Sequence, residues 1–200
     1  MLFWAVCAVP AAYAKSPRYL EAKRVSEDIS QFTKWNAMLR RYSEQSRQSC
    51  TERSATCDAL NEWRGFLERI DEKDLSTLEK AEAVNSYVNR VSYADDNDVW
   101  GKSDYWATPR EFLSHQGDCE DYAITKYFSL LALGVREEDM RLVIMNDRRK
   151  GVIHAALSVD IDGKTYLLDN QTPDVVVYHT LGRYRPIYAI NTKGWWRYYS

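Results

Sequence analysis

Apolar residues first recur at helical spacing between positions 20 and 47. Val25, Ile29, Phe32, Trp35 and Leu39 return every three or four residues, charges fill the gaps, and neither Pro nor Gly intervenes. This predicts a helix over that span. A second is predicted over 58–70, with Leu60, Trp63, Leu67 and Ile70 on one side. Ser76-Thr77-Leu78-Glu79 spells a capping box that opens a third helix to about Arg90, with Leu78, Ala81, Val84 and Val88 inward. The period then lapses over 92–117, SYADDNDVWGKSDYWATPREFLSHQG, which reads as a long polar and aromatic loop. Such loops are functional or disordered, and Trp100, Tyr105 and Trp106 argue against disorder. A fourth helix is predicted from Cys119 to Leu133, stopped by Gly134. Strand patterns follow at 141–145, 151–160, 164–170, 175–179 and 185–191, with Asp162-Gly163 as a two-residue hairpin turn. Helices first and strands afterwards predict an α+β fold, N-terminal helices packed against one side of an antiparallel β-sheet. No repeat or linker calls for a second domain.

Composition narrows the class. The 200 residues are 45 % hydrophobic and 28 % charged, which excludes a disordered chain and a membrane-embedded one. With 27 basic and 29 acidic residues the net charge is −2, so there is no general basic field for nucleic acid. The basic, aromatic tail at 182–200 can stack on bases, but a terminal strand explains it more simply. Residues 1–14 carry no charge and end in Ala12-Tyr13-Ala14, as a signal peptide does; a buried N-terminal segment is the alternative. Export and a single mature domain over 15–200 follow from the first reading. Removal of residues 1–14 also removes Cys7. In an oxidising compartment Cys50 and Cys57 can then form a small-loop disulfide between two helices, leaving Cys119 as an odd free thiol.

That thiol has candidate partners. Cys119 begins a helix, His154 interrupts the apolar strand VIHAALSV, and Asp169 lies near the end of the next strand, YLLDN. Helix N-terminal amides and a neighbouring imidazolium lower a thiol's pKa. A histidine moves the proton, and a carboxylate fixes its tautomer. Each residue alone has a plainer reading: a buried cysteine, a core histidine, a strand-end aspartate. Zinc on Cys119, His154 and Asp118 is a competing chemistry, without C-x-x-C or H-x-x-x-H spacing to support it. Asp118, Glu120 and Asp121 crowd the thiol. They either cap the helix or, as hard oxygen ligands, hold calcium, whose charge would offset their opposition to a thiolate. The acids of the 92–117 loop do not match an EF-hand.

GDCEDYAITKYFSLLALGV, preceded by DVWGKSDYWATPREFL, resembles the bacterial transglutaminase-like cysteine proteinases. The segments holding His154 and Tyr166–Asn170 fit the same pattern. The resemblance implies a papain-like or transglutaminase-like core, with Cys119 as nucleophile, His154 as base and acid, and Asp169 as orienting carboxylate. It also implies calcium held by Asp118 and Glu120. It further implies a substrate, a large RTX-type surface adhesin cut near its N-terminus at a di-alanine site, whose release disperses biofilm. It implies a partner too: an inner-membrane receptor whose periplasmic domain sequesters the protease when cytoplasmic cyclic-di-GMP is high. Trp106 is the expected receptor contact, with a core tryptophan as the alternative. Transglutaminase or amidase chemistry in the same fold, or a secreted binding module without catalysis, are the other readings.

Overall fold

The computed structural model describes residues 23–48, 50, 54–178 and 182–198. The expected signal peptide, with Cys7, lies outside them. Six α-helices are present among the described residues: α1 (Thr33–Ser46), α2 (Ala55–Asp71), α3 (Thr77–Val88), α4 (Asp96–Trp100), α5 (Pro109–His115) and α6 (Cys119–Ala132). The strands are β1 (Lys23–Ser26), β2 (Met140–Asp147), β3 (Val152–Ile161), β4 (Lys164–Leu168), β5 (Val176–Val177), β6 (Tyr184–Asn191) and β7 (Gly194–Arg197). All pair antiparallel, in the order β1-β7-β6-β2-β3-β4-β5.

The helix expected over 20–47 starts only at Thr33. Residues 23–26 instead form an edge strand on β7. Side chains between the two offer the backbone another partner: Ser26 Oγ accepts from Asp28 N–H at 3.2 Å, and Asp28 Oδ1 from Ser30 N–H at 2.9 Å. Such local bonds compete with a helix. Phe32 still reaches the core, its ring 5.4 Å from Tyr188 and 5.5 Å from Trp195. Ile29 and Phe32 pack against the core from a turn and not from a helix. The loop expected over 92–117 contains α4 and α5. Thr108 and Glu111 form a capping box with Pro109 at the first helical position, the same signature that opens α3 at Ser76.

The sheet has two covered faces. Leu142, Ile144, Ala155, Leu157 and Val159 face the helices, whereas Val143, Met145, Ala156 and Leu167 meet Tyr178, Tyr184 and Tyr198 on the other side. This is the period-2 alternation of a strand buried on both faces. Helix α6 is the centrepiece, with every residue from Asp121 to Leu130 buried. The hairpin between β3 and β4 turns at Asp162 (φ 49°) and Gly163 (φ 74°), as expected of a primed turn. Cys50 and Cys57 are disulfide-bonded and tie the segment after α1 to the first turn of α2. No helix of the described residues is long and apolar enough to cross a membrane.

Candidate active site

Three features bring Cys119 to the sheet. The first is Gly117. A Cβ there would lie 2.2 Å from Asp121 Oδ2, so only glycine lets the chain fold over the first turn of α6. The second is Asp121, fully buried, which accepts Ala107 N–H at 2.6 Å and Asp118 N–H at 3.3 Å. It thereby joins the aromatic loop to the start of α6. The third is the edge of β3. β4 pairs with β3 only from Leu157 onward, so beyond that point the β3 edge is open. The Cys119 thiol lies there, close enough for the amide of Ala155, the residue after His154, to favour its thiolate, and it donates to Glu120 Oε2 at 3.3 Å.

His154 and Asp169 form a buried pair, with His154 Nε2 2.8 Å from Asp169 Oδ1. Nε2–H donates to the carboxylate, which leaves Nδ1 as the basic nitrogen. The imidazole is stacked on Tyr184, ring centroids 5.5 Å apart. Asp169 follows β4 directly. Its Oδ1 also accepts Gln171 N–H at 3.0 Å, and its Oδ2 accepts from Arg183 Nη2 at 3.1 Å and from the Tyr184 hydroxyl. Burial opposes ionisation of Asp169. The hydrogen bond and charge of His154, then the Tyr184 hydroxyl and the Gln171 amide, outweigh it and hold the carboxyl below the usual range.

The acids by the thiol form a larger cluster than the sequence disclosed. Asp118 and Glu120 are joined in space by Asp96, Asp104 and Asp121, in overlapping triplets whose ligand atoms lie within 4.8 Å of one another. Burial first, and the charge of Glu120 second, push Asp118 up to about 9. Burial likewise raises Glu120, Asp121 and Asp96. Among the described residues Asp118 Oδ1 and Asp96 Oδ1 are buried without a hydrogen-bond partner. Clustered carboxylates with spare buried oxygens are the donor set of a hard cation such as calcium, so these residues fit one. The Cys119 thiol is pushed up by burial and then by Glu120 and Asp118, against the pull of the Ala155 amide.

Trp106 is 8 % exposed, its ring edge-on to Trp35 at 6.2 Å. The core holds the ring, so it does not stand out as a surface contact. Arg41 fixes the loop around it, donating to Trp106 O at 2.6 Å and to Glu111 while lying 4.5 Å over the Tyr105 ring. A partner reaching this loop meets the half-buried Trp100 and Tyr105 before Trp106.

Sequence reasoning passed over Asp96 and Asp104, whose distance in the chain hid their approach to α6. It also passed over Arg183, Tyr184 and Gln171, which surround Asp169. The available signal for this second group was its place in the turns flanking the candidate strands.

The family model described as bacterial transglutaminase-like cysteine proteinase, BTLCP, matches residues 42–197. No curated protein matches. Legionella pneumophila LapG, solved after EGTA treatment, shares the fold with a TM-score of 0.66 and 27 % identity, over 75 % of this chain and 81 % of that one. Its calcium-bound form gives 0.64 and 27 %, over 81 % and 86 %. The α+β architecture is that of a papain-like or transglutaminase-like core. The family match spans α6, β3 and β4 with their cysteine, histidine and aspartate, and the chain belongs to the bacterial transglutaminase-like cysteine proteinases.

Proposed function

We propose that the chain is a calcium-dependent periplasmic cysteine endopeptidase with a Cys119–His154–Asp169 triad. The observation that carries this is the buried His154–Asp169 pair at 2.8 Å, one residue from the Ala155 amide that meets the Cys119 thiol. Nδ1 of His154 takes the thiol proton, and the thiolate attacks the scissile carbonyl. The Cys119 N–H, at the first position of α6 and so without an intrahelical acceptor, stabilises the oxyanion. The imidazolium gives its proton to the leaving amine, and the resulting thioester is hydrolysed by water that His154 deprotonates. Asp169 keeps Nε2 protonated throughout.

Asp118 and Glu120, with Asp96, Asp104 and Asp121, are the residues that would hold calcium. When bound, the ion supplies positive charge beside acids that otherwise oppose the thiolate. The calcium-bound and EGTA-treated forms of the Legionella protein support this reading.

The proposed substrate is a large RTX-type surface adhesin, cut near its N-terminus at a di-alanine site to release it and disperse biofilm. The proposed partner is the periplasmic domain of a cyclic-di-GMP-responsive inner-membrane receptor similar to LapD, docking on the aromatic loop that Trp106 holds from within. Trp106→Glu is expected to weaken that docking.

The test incubates the adhesin's N-terminal region with wild type, Cys119→Ala and chelated protein. A fragment released by the wild type alone supports the proposal. Isopeptide product without cleavage would make the chain a transglutaminase. Uncut substrate, unaffected by Cys119→Ala, would make it a binding module.

A further inference from the structure

The segment after β4 does more than carry Asp169. Gln171 touches both members of the histidine–aspartate pair. Its backbone N–H donates to Asp169 Oδ1 at 3.0 Å, and its side-chain Nε2 lies 3.2 Å from His154 Nδ1 and 3.4 Å from His154 Nε2. Near-equal contacts with both ring nitrogens place the carboxamide over the face of the ring, because an approach in the ring plane at those distances would overlap Cε1. A carboxamide there can turn its oxygen to the charged imidazolium and its nitrogen to the neutral ring.

A loop residue positions a base only if the loop itself is held. Two asparagines one turn apart do this, Asn85 on α3 and Asn89 at its C-terminal cap. Asn89 Nδ2 donates to Asp169 O at 3.0 Å and to Thr172 O at 3.2 Å, and Asn85 Nδ2 donates to Pro173 O at 3.0 Å. Asn85 is fully buried, and its inward face is the one that packs α3 on α6 and β4. The carbonyls that Asn85 and Asn89 bind flank Gln171 in the chain. The loop is thus clamped on both sides of the residue that reaches the imidazole.

We propose that Gln171 is a positioning residue for His154, its carboxamide seating the imidazole through both ring nitrogens while its backbone holds the orienting carboxylate, in a loop clamped by Asn85 and Asn89. The proposal rests on the catalytic reading above. It adds that one residue couples ring orientation to carboxylate position.

The test uses the full chain in calcium-containing buffer, with Gln171→Met, Gln171→Glu and His154→Ala. Two rates are measured: peptide cleavage, and alkylation of Cys119 by iodoacetamide, which needs no peptide substrate. Met matches the length of Gln but offers no polar atom. Loss of one seating interaction is expected to lower kcat about tenfold with KM and melting temperature unchanged, and to slow alkylation in parallel. Glu retains an oxygen for the imidazolium and is expected to keep kcat within about threefold of wild type. Gln171→Met with wild-type kcat and alkylation rate overturns the proposal. So does equal loss in the Met and Glu variants, which would mark a merely steric role. If the wild type cleaves nothing and His154→Ala alkylates as fast as wild type, the catalytic reading itself fails, and that outcome is distinct from the others.

Discussion

Asp118 gives the sharpest test of the acid cluster. Its carboxyl moves from 3.8 to about 9 in the cation-free fold, first through burial and then through the charge of Glu120. A carboxyl raised on folding makes the native state bind a proton that the unfolded chain has lost. Stability therefore falls as pH rises, from about pH 4 towards about pH 9. Between pH 5.5 and 8.0 one such proton is worth at most about 3.4 kcal/mol, at about 1.4 kcal/mol per pH unit. Asp118 is half-buried and shares its surroundings with Glu120, so screening brings this to about 2 kcal/mol. For a domain of this size that is about 4–8 °C in melting temperature. The assay is thermal unfolding of chelated protein at pH 5.5 and 8.0, wild type against Asp118→Asn. The variant cannot ionise, and other titrating groups cancel in the difference. Wild type is expected to lose about 4–8 °C more than the variant on going to pH 8.0, and excess calcium is expected to restore the wild type but not the variant. Equal pH dependence in the two chelated proteins would refute the reasoning.

Other residues carry their own expectations. Asp169→Asn should lower kcat by about 10²–10⁴ by releasing the His154 tautomer, read in the cleavage assay. The same change should lower the melting temperature, because Arg183 loses its buried partner. Lys126 is fully buried, has no hydrogen-bond partner among the described residues, and is pushed down to about 7 by burial against the pull of Asp169. A lysine depressed on folding costs stability in full below pH 7, and the cost fades as pH rises to about 10.5. Lys126→Met should therefore be the more stable protein at pH 6.5, by at most about 5 kcal/mol, with the gap closing by pH 10 in denaturant titrations. Gly117→Ala drives a methyl to 2.2 Å from Asp121 Oδ2 and should cost about 1–3 kcal/mol or more while lowering activity, measured by urea unfolding and cleavage.

What was legible in the sequence was local. The Ser76–Glu79 capping box, the Asp162-Gly163 turn and the apolar run of α6 are each decided by residues a few positions apart, and each forms where expected. The strand position of His154, and the place of Asp169 at the end of the neighbouring strand, could be read for the same reason, since a two-residue turn fixes which strands are neighbours. β1 was misread because Val25, Ile29 and Phe32 satisfy a helical period, while Ile29 and Phe32 reach the core from a side-chain-bonded turn and not from a helix. Asp96 and Asp104 joined the acid cluster unseen. They sit on and after a short helix that is held near α6 by Ala94, just before it, whose N–H donates to Gly117 O at 3.0 Å, a contact no local pattern encodes. Asn85 looked like any polar residue on α3, and its burial follows from the loop it clamps 88 residues away.

The acid cluster and the thiol are in tension, and charge counting states how a cation can relieve it. Without a cation, burial and mutual repulsion favour protons on the cluster: Asp118 is raised to about 9, and Glu120 and Asp121 are raised with it. A divalent ion binding at neutral pH displaces some of those protons, because its ligands must be ionised. If it displaces one, the charge beside Cys119 rises by one unit, and the thiolate is favoured by attraction. If it displaces two, the net charge is unchanged, and the ion can act only by fixing the geometry of Asp118, Glu120 and the loop they hold. The two cases separate by the number of protons released on calcium binding, read by calorimetry in buffers of different ionisation enthalpy. One proton released, with faster Cys119 alkylation, makes the cluster an electrostatic gate on the nucleophile. Two released, with alkylation unchanged but cleavage restored, makes it a structural clip on the substrate-facing loop.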